Sequence, residues 1–447
     1  MNIPKDFIDA LPNMDITSIE AENFKVKGSI QLELSDFTEI VGDNGSGKTT
    51  LLDMVAFCFT GKSCFGENLD FINGGSDYTR VSLWLTDGLN NWELKRIIKT
   101  TPSGRQSTTI TLNSAKLKQK EISEVLKEEL VLSIINPVFF QSLTPTKARD
   151  FLAIVMNVNL ETTILKNRSK IAITQKEKDI FDELFSKISN VEELKKKEKE
   201  LKDHVKKMED EKESSIYEVD VLQCAAVDEK EKVSSIIEEL GLLTSIDDDS
   251  RKTLTDVIES VFDPSERQFE IDKKEEALKD LSIKIALESK QLEFIKAIYK
   301  KYLIEIESLT NSILTNTGVQ LIEIKMKENE ITHIEEEVEK EVFNIFYNAL
   351  PIKNCSQAEK IKASIEIADA LGNQTNVCLP TFIDNAESIT SFKSPSFLNQ
   401  LVSLTVLKGA KLSLVDGENV VDLKTKESMP KSKNFYPPIR RVLSTLF

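Results

Sequence analysis

The sequence predicts an α/β fold: a phosphate-binding head assembled from both ends of the chain, with an antiparallel coiled-coil hairpin inserted between the two halves. Three observations predict it. Gly42-Asp43-Asn44-Gly45-Ser46-Gly47-Lys48-Thr49 fits the spacing G-x-x-x-x-G-K-[ST] of a phosphate-binding loop. Far downstream, the apolar run Leu379 to Ile383 ends in an acid, Asp384. Between the two lie long stretches with apolar residues at heptad spacing. The division that follows is 1–155 for the first half of the head, 156–317 for the helical insertion and 318–447 for the second half.

The flanks of the glycine loop are what the motif needs. Asp36 to Val41 ends apolar like a buried strand, and Thr50 to Phe57 reads as a helix. Glycines let backbone N–H groups turn inward around phosphate oxygens, and the helix start adds the positive end of its dipole. Gly42, Asn44, Gly45, Ser46, Gly47, Lys48, Thr49 and Thr50 are therefore the expected nucleotide contacts. Lys48 can reach the β and γ phosphates, and the Thr49 hydroxyl can ligate Mg²⁺. Such a site also needs an acid for the metal at the end of an apolar strand, which makes Asp384 the second metal-holding residue. ATP and Mg²⁺ are the expected ligands. The bland alternative, a glycine-rich turn that binds nothing, lacks a reason for both flanks.

Strands are expected from the alternation in Asp15 to Ala21 and Ser29 to Leu34, then a β-meander over residues 80–113 with turns at Asp87-Gly88 and Ser103-Gly104. Residues 115–132 read as one amphipathic helix. From about 181 to 315 the composition shifts to Glu, Lys, Leu and Ile. Leu184, Val191, Leu194, Leu201, Val205, Met208, Val219 and Leu222 make one seam. Ile271, Leu278, Leu281, Ile285, Leu292, Ile295, Tyr299, Tyr302, Ile306, Leu309 and Ile313 make a cleaner second one, with Glu288 its one polar position. Gly241, Asp247-Asp248-Asp249 and Asp263-Pro264 are breakers between them, so the arms should fold back on each other. Beyond the hairpin, Val319 to Lys327 reads as a strand, Ile331 to Tyr347 as a helix, and Gln400 to Val406 and Ala410 to Val415 as strands. Lys431 to Phe447 reads as a tail.

The formal charge is −16, and residues 151–350 alone hold 30 Lys and Arg against 45 Asp and Glu. The acidity belongs to the coil, so net charge argues neither for nor against nucleic acid at the head. No apolar run is long enough for a membrane span. The five cysteines form no CxxC pair, and the first residues show no signal-peptide pattern. Reduced thiols and a cytoplasmic location are the expectation.

This layout resembles the ABC-type P-loop ATPases of the SMC and SbcC (double-strand-break repair) superfamily. Asn23-Phe24-Lys25 followed by the glycine loop is similar to their opening, and Asn136-Pro137-Val138-Phe139-Phe140-Gln141 to their Q-loop. Cys355-Ser356-Gln357-Ala358-Glu359-Lys360 is similar to their signature motif, and Asp384 to their Walker B aspartate. The resemblance implies that Gln141 helps bind Mg²⁺ and the attacking water, and that Ser356 reaches the γ-phosphate of a partner's ATP. It implies a homodimer of heads around two ATP molecules, with DNA and a nuclease subunit as partners. The chain departs from the family in four ways. Ala358 replaces the signature glycine, Asn385 replaces the glutamate after the aspartate, no switch histidine follows, and no CxxC marks a zinc hook at the coil tip. Glu387 is then the candidate to position or deprotonate water. Lys25, Lys27, Lys95 and Arg96 are further candidates for phosphate or adenine contact, each with a plain surface charge as its alternative.

The expected function is an ATP-binding, slowly hydrolysing protein of DNA repair, recombination or end processing. A transporter-type nucleotide subunit is disfavoured by the coiled insertion. The competing class is a nucleotide-switch coiled-coil protein with a structural role, favoured by Ala358, Asn385 and the absent histidine.

Overall fold

The computed structural model describes residues 3–26, 28–242, 248–261, 265–328, 335–388, 400–416 and 419–422. The breakers Asp247 and Asp263-Pro264, the candidate Lys27, residues 331–334 and the tail from 431 lie outside them. Among the described residues no helix is long and apolar enough to cross a membrane. The chain divides into two compact units, 1–158 with 303–447, and 159–302.

The first unit opens with α1 (Lys5–Ala10), then β1 (Asp15–Glu22), β2 (Ser29–Glu33) and β3 (Phe37–Gly42). The glycine loop leads into α2 (Lys48–Thr60). β4 (Tyr78–Thr86), β5 (Asn91–Thr100), β6 (Gln106–Leu112) and β7 (Ala115–Leu117) complete an antiparallel sheet of order β2-β1-β4-β5-β6-β7. The meander forms as its alternation predicts, with Val81, Leu83 and Leu85 buried on one face. Residues 115–132 do not make a single helix. They form β7, α3 (Gln119–Val125) and the start of α4 (Glu128–Ile135), with extended backbone at Leu126 and Lys127. Asn113 and Ser114, both at positive φ, turn the chain straight back so that Ala115 pairs with Leu112. α5 (Pro145–Val155) closes this half.

The second unit holds α6 (Leu160–Ile171), α7 (Gln175–Phe185), α8 (Val191–Leu242), α9 (Asp248–Val261) and most of α10 (Ser265–Ser312). α8 and α10 are antiparallel. Lys195 lies over Tyr299, Glu218 pairs with Lys274 at 2.5 Å and Glu229 with Arg267 at 2.5 Å, so one arm's numbers rise as the other's fall. Leu194, Leu201, Val219, Ile271 and Ile295 of the two seams are buried. Glu288, the polar seam position, faces His204 at 3.8 Å. Two details differ from the heptad reading. Leu184 belongs to α7, where Phe181 packs against both Phe185 and Phe294. The zone between the arms contains a helix, α9, rather than breakers alone.

After α10 the chain returns to the first unit as β8 (Thr317–Glu328) and β9 (Glu335–Tyr347), joined to the short β10 (Leu350–Pro351). The helix expected over Ile331 to Tyr347 is a strand. Val338, Val342 and Ile345 are spaced 4 and 3 apart and the glutamates favour helix, but β9 pairs with β8 from Glu335 to Tyr347. Cross-strand pairing overrides the local preference. α11 (Gln357–Thr375), β11 (Thr381–Asp384), β12 (Leu401–Val406), β13 (Ser413–Asp416) and β14 (Asn419–Asp422) follow. The second sheet has the order β11-β12-β3-β13-β14, in which β11, β12 and β3 are parallel. α2 packs against strands of both sheets, and eleven of its side chains from Lys48 to Thr60 are buried. A helix apolar on every side belongs in such a place.

Gln400, 4% exposed, ties the sheets together. Its Oε1 accepts the Ile16 N–H at 2.9 Å, and its Nε2 donates to Ile16 O at 2.8 Å and Ser35 O at 2.9 Å. β1 has an irregularity between Ile16 and Ser18, and β2 pairs with it only from Ser18 onward. The amide therefore does for Ile16 what a neighbouring strand would. Gln400→Leu leaves buried backbone groups unpaired and should cost about 2–4 kcal/mol, read as a drop in the denaturant midpoint. A loss below about 0.5 kcal/mol, the spread of neutral surface substitutions, would contradict this role.

On α11, Glu366 accepts the N–H groups of Thr315, Asn316 and Thr317, fixing the link from α10 to β8. One turn on, Asp369 lines an open recess of about 360 Å³. Burial and then the charge of Glu366 push its carboxyl up to about 7. The folded chain binds this proton more tightly than the unfolded chain, so the contribution to stability is present at low pH and lost as pH rises toward 7. Asp369→Asn should raise the melting temperature at pH 8 and leave it unchanged near pH 4; an equal shift at both would refute this.

Candidate functional site

β3 delivers the chain to Gly42 at the carboxyl edge of the second sheet. A Cβ there would lie 2.3 Å from Ser46 Oγ, so any side chain at this position would displace Ser46. Gly45 at φ +74 and Gly47 at φ +110 occupy left-handed backbone, which glycine adopts without penalty. Gly47 is also the N-cap of α2, so the helix start faces the loop. Lys48 is buried and donates from Nζ to Gly42 O at 2.9 Å and Asp43 O at 3.1 Å. Asn44 and Gly45 are exposed at the rim, and Thr50 sits half-buried in the first turn of α2.

Thr49 Oγ1 lies 3.3 Å from Asp384 Oδ2, although the two are 335 residues apart in sequence. The register explains it. Asp384 is level with Leu404 of β12, and Leu404 is level with Ile40 of β3. The end of β11 thus reaches the start of α2 across one intervening strand. The other oxygen, Oδ1, accepts the N–H of Asn385 at 3.0 Å. Asn385 stands at φ +57, a conformation that asparagine tolerates better than most residues. A glutamate in this slot would strain the backbone.

The residues fit a magnesium nucleotide. Ser46 Oγ is buried with no hydrogen-bond partner, an orphan inside the loop that a phosphate oxygen would satisfy. The hydroxyl of Thr49 and the carboxylate of Asp384 are hard oxygen donors. Mg²⁺ is commonly held by one or two such groups together with phosphate and water. Among the described residues no set of three or more His, Cys, Asp or Glu converges.

The other expected site residues are engaged with partners of their own. Gln141 Nε2 donates to Lys360 O at 3.1 Å and to Ser364 Oγ, both on α11. Its turn, Pro137–Ser142, packs on α11 and also touches β11, and the side-chain amide is engaged with α11. Ser356 is the N-cap of α11 and forms a capping box with Glu359, its hydroxyl 2.7 Å from Glu359 Oε2. Glu387 accepts the N–H of Val406 at 3.0 Å, at the carboxyl end of β12. Val406 is level with Gly42, so this carboxylate lies one strand from the loop.

Three basic candidates are structural. Arg96 is buried and donates to Cys58 O and Phe59 O, with Gln119 as a further partner. Lys95 pairs with Glu93 at 2.6 Å. Lys25 pairs at 2.6 Å with Asp53, which stands one helical turn beyond Thr49 and also accepts the Cys64 N–H. Asp53 and Asn136, whose Nδ2 donates to Cys64 O, brace the site from behind. The only sequence signal of Asp53 is a polar residue inside an apolar run, whereas Asn136 opens the Q-loop-like stretch.

Residues 18–240 match the family model described as an AAA domain. Among curated proteins, the DNA replication and repair protein RecF of Rickettsia prowazekii (strain Madrid E) is 26% identical over 178 residues, 39% of this chain and 48% of that protein. RecF of Shewanella woodyi (strain ATCC 51908 / MS32) is 30% identical over 142 residues, 31% of this chain and 37% of that protein. The chain spans about half the length of the first of these relatives. Among solved structures, the Smc head domain with an extended coiled coil from Pyrococcus furiosus, bound to the C-terminal domain of ScpA, is 14% identical with a TM-score of 0.38, covering 88% of this chain and 90% of that one. The recombination mediator RecF with ATP is 14% identical with a TM-score of 0.40, covering 89% and 94%.

Substitutions separate the two halves of the site. Lys48→Ala should weaken ATP binding by at least about tenfold, because a charged phosphate contact is lost. Asp384→Ala should bind ATP in EDTA like the native chain and lose only the gain that Mg²⁺ brings. Fluorescent-nucleotide titration reads both, and native affinity in Lys48→Ala would refute the loop's role.

Proposed function

We propose, from the premise that this chain is an SMC/RecF-like P-loop ATPase of ABC type, that it binds ATP with Mg²⁺ and hydrolyses it slowly. In this reading ATP drives two heads together in DNA repair or recombination. The observation that carries the reading is the meeting of Thr49 and Asp384 at the mouth of a loop whose Ser46 hydroxyl is buried without a partner. The RecF relatives, described as DNA replication and repair proteins, support the process. The finer version, SbcC-like end processing with a nuclease subunit, rests on the motif resemblance.

The roles follow from placement. The loop N–H groups and Lys48 bind and orient the phosphates, and Thr49 with Asp384 hold the metal. Mg²⁺ held there would supply charge neutralisation to the phosphates. Glu387 is the carboxylate nearest in sequence that could take a proton from water, since the amide of Asn385 cannot act as a base. Its Oε2 accepts the Val406 N–H, which fixes the carboxylate beside the end of β12, and its second oxygen is the one that would take the proton. Ala358, Asn385 and the absent histidine favour a second reading, a nucleotide switch that turns ATP over hardly at all. Ser356 and Gln141, both engaged with α11, would act across the head dimer and at the metal only after changing partners.

Phosphate release measured with and without DNA tests this, together with size-exclusion chromatography in ATP. Slow release, a nucleotide-dependent dimer, and Glu387→Gln lowering release while ATP binding persists are the expected results. Unchanged release in Glu387→Gln would remove it from catalysis. Absence of any release with DNA present would favour the switch.

A further inference from the structure

β8 and β9 form a ribbon in which β9 meets β10 at Phe346 and Tyr347 and β8 is the edge of the sheet. An edge strand leaves a row of N–H and C=O groups unpaired, on which another chain can add as a strand. The first part of this edge is covered by α10. Asn311 accepts the Val319 N–H at 2.7 Å and donates to Val319 O at 2.9 Å, and Glu307 accepts the Leu321 N–H at 2.7 Å. The irregularity between Gln320 and Ile322 puts its extra residue on β9, so β8 keeps a strict alternation. The N–H groups of Glu323 and Lys325 therefore point the same way as those of Val319 and Leu321. Among the described residues no strand pairs with them.

The uncovered part is apolar on one face. Ile322 is half-buried, and Ile324 and Met326 are 50% and 56% exposed. Their own ribbon sets glutamates against them: Ile322 is level with Glu341 and Ile324 with Glu339. On the other face Glu323 and Lys325 stand side by side, 3.2 Å apart. The segment Ile322-Glu323-Ile324-Lys325-Met326 is complementary to itself. Laid antiparallel to a second copy with Ile324 on the two-fold axis, it sets Ile322 against Met326 and Glu323 against Lys325. A shift by two residues would set Lys325 against Lys325 in one direction and Glu323 against Glu323 in the other. The backbone agrees with the side chains. In the centred register the outward groups of Glu323 and of the second copy's Lys325 exchange hydrogen bonds, and the two Ile324 residues form a close, non-hydrogen-bonded pair. Apolar pairs and opposite-charge pairs across strands are what stabilises a sheet.

We propose that residues 322–326 of β8 are a self-association surface, on which two copies of this chain pair antiparallel about Ile324 and merge their ribbons into one four-stranded sheet. The contact uses the same patch on both copies, so it closes at a dimer. Glu307, by holding the Leu321 N–H, ends the ladder in each copy and confines it to this segment. A ladder this short makes a weak dimer. It needs no nucleotide and uses no residue of the phosphate site.

The test is disulfide trapping of the full chain without nucleotide, in a background where the exposed Cys224 is replaced, Cys224→Ser. Ile324→Cys should give a disulfide-linked dimer on mild oxidation, because the paired Cα atoms would lie about 4.5 Å apart. Lys325→Cys, on the opposite face and set against Glu323, should stay monomeric. In the Ile324→Cys chain, Lys325→Glu should abolish the crosslink by setting acid against acid, and adding Glu323→Lys should restore it. Thermal melts should coincide, because these side chains lie at the surface. Equal crosslinking in Ile324→Cys and Lys325→Cys would mean random collision. No dimer at all would leave β8 an edge guarded by its lysine, and a crosslink that survives Lys325→Glu would mean another register. Each of these outcomes overturns the inference.

Discussion

The parallel ladder of β11, β12 and β3 is the constraint on which the site depends. β3 belongs to the first part of the chain and the other two to the last, so Walker-type residues from opposite ends meet only if this ladder forms in one register. A shift of one residue would turn the faces of β12 over and move Asp384 away from Thr49. Register is held by burial and by side chains at the ladder's lower end. Ile40, Val402 and Leu404 are fully buried, and Gln400 anchors the start of β12 to Ile16 and Ser35.

α2 converts that register into a site. Its length is packed between strands of both sheets, so its first turn cannot tilt without disturbing Leu51, Met54, Val55 and Phe57, all fully buried. Interiors packed at crystal-like density transmit such a displacement rather than absorb it. Thr49 and Lys48 are therefore placed by the far end of their own helix. Arg96 caps that end: it donates to the Cys58 and Phe59 carbonyls, the last-turn acceptors that a helix leaves free. Burial lowers its pKa to about 10, still well above neutrality, so the guanidinium stays charged and favours the negative end of the helix dipole.

What is legible in the sequence is what is coded locally. The glycine loop announces itself because φ values at Gly45 and Gly47 and the contact of Gly42 with Ser46 admit little else. Asp384 is legible as an acid closing an apolar run, and the hairpin as two seams. The strand at Glu335–Tyr347 is not, because its spacing is ambiguous and only pairing with β8 decides it. Gln400 reads as an ordinary polar residue before a strand, and its role exists only once the irregularity in β1 leaves Ile16 without a neighbour. Gln141 is legible as a motif but not in its placement, since its attachment to Ser364 depends on where α11 packs. Lys25, Lys95 and Arg96 show a related gap: a lysine or arginine shows no sign of its partner in sequence, and Asp53, Glu93 and the end of α2 engage them.

Lys48 shows how the loop can be both formed and receptive. A buried ammonium needs acceptors, and burying one without them costs on the order of several kcal/mol. The carbonyls of Gly42 and Asp43 meet that need, which holds the loop in its ring-like path. These are neutral acceptors, whereas a phosphate offers charged ones, and bonds to charged acceptors are roughly twice as strong. An arriving phosphate can therefore take the lysine from the carbonyls without rebuilding the loop. The glycines keep the N–H groups in place meanwhile, and Ser46 gains a partner that the protein does not itself supply. In the nucleotide-binding reading, a phosphate would replace adequate contacts by better ones, on a scaffold that the sheet register and α2 have already fixed.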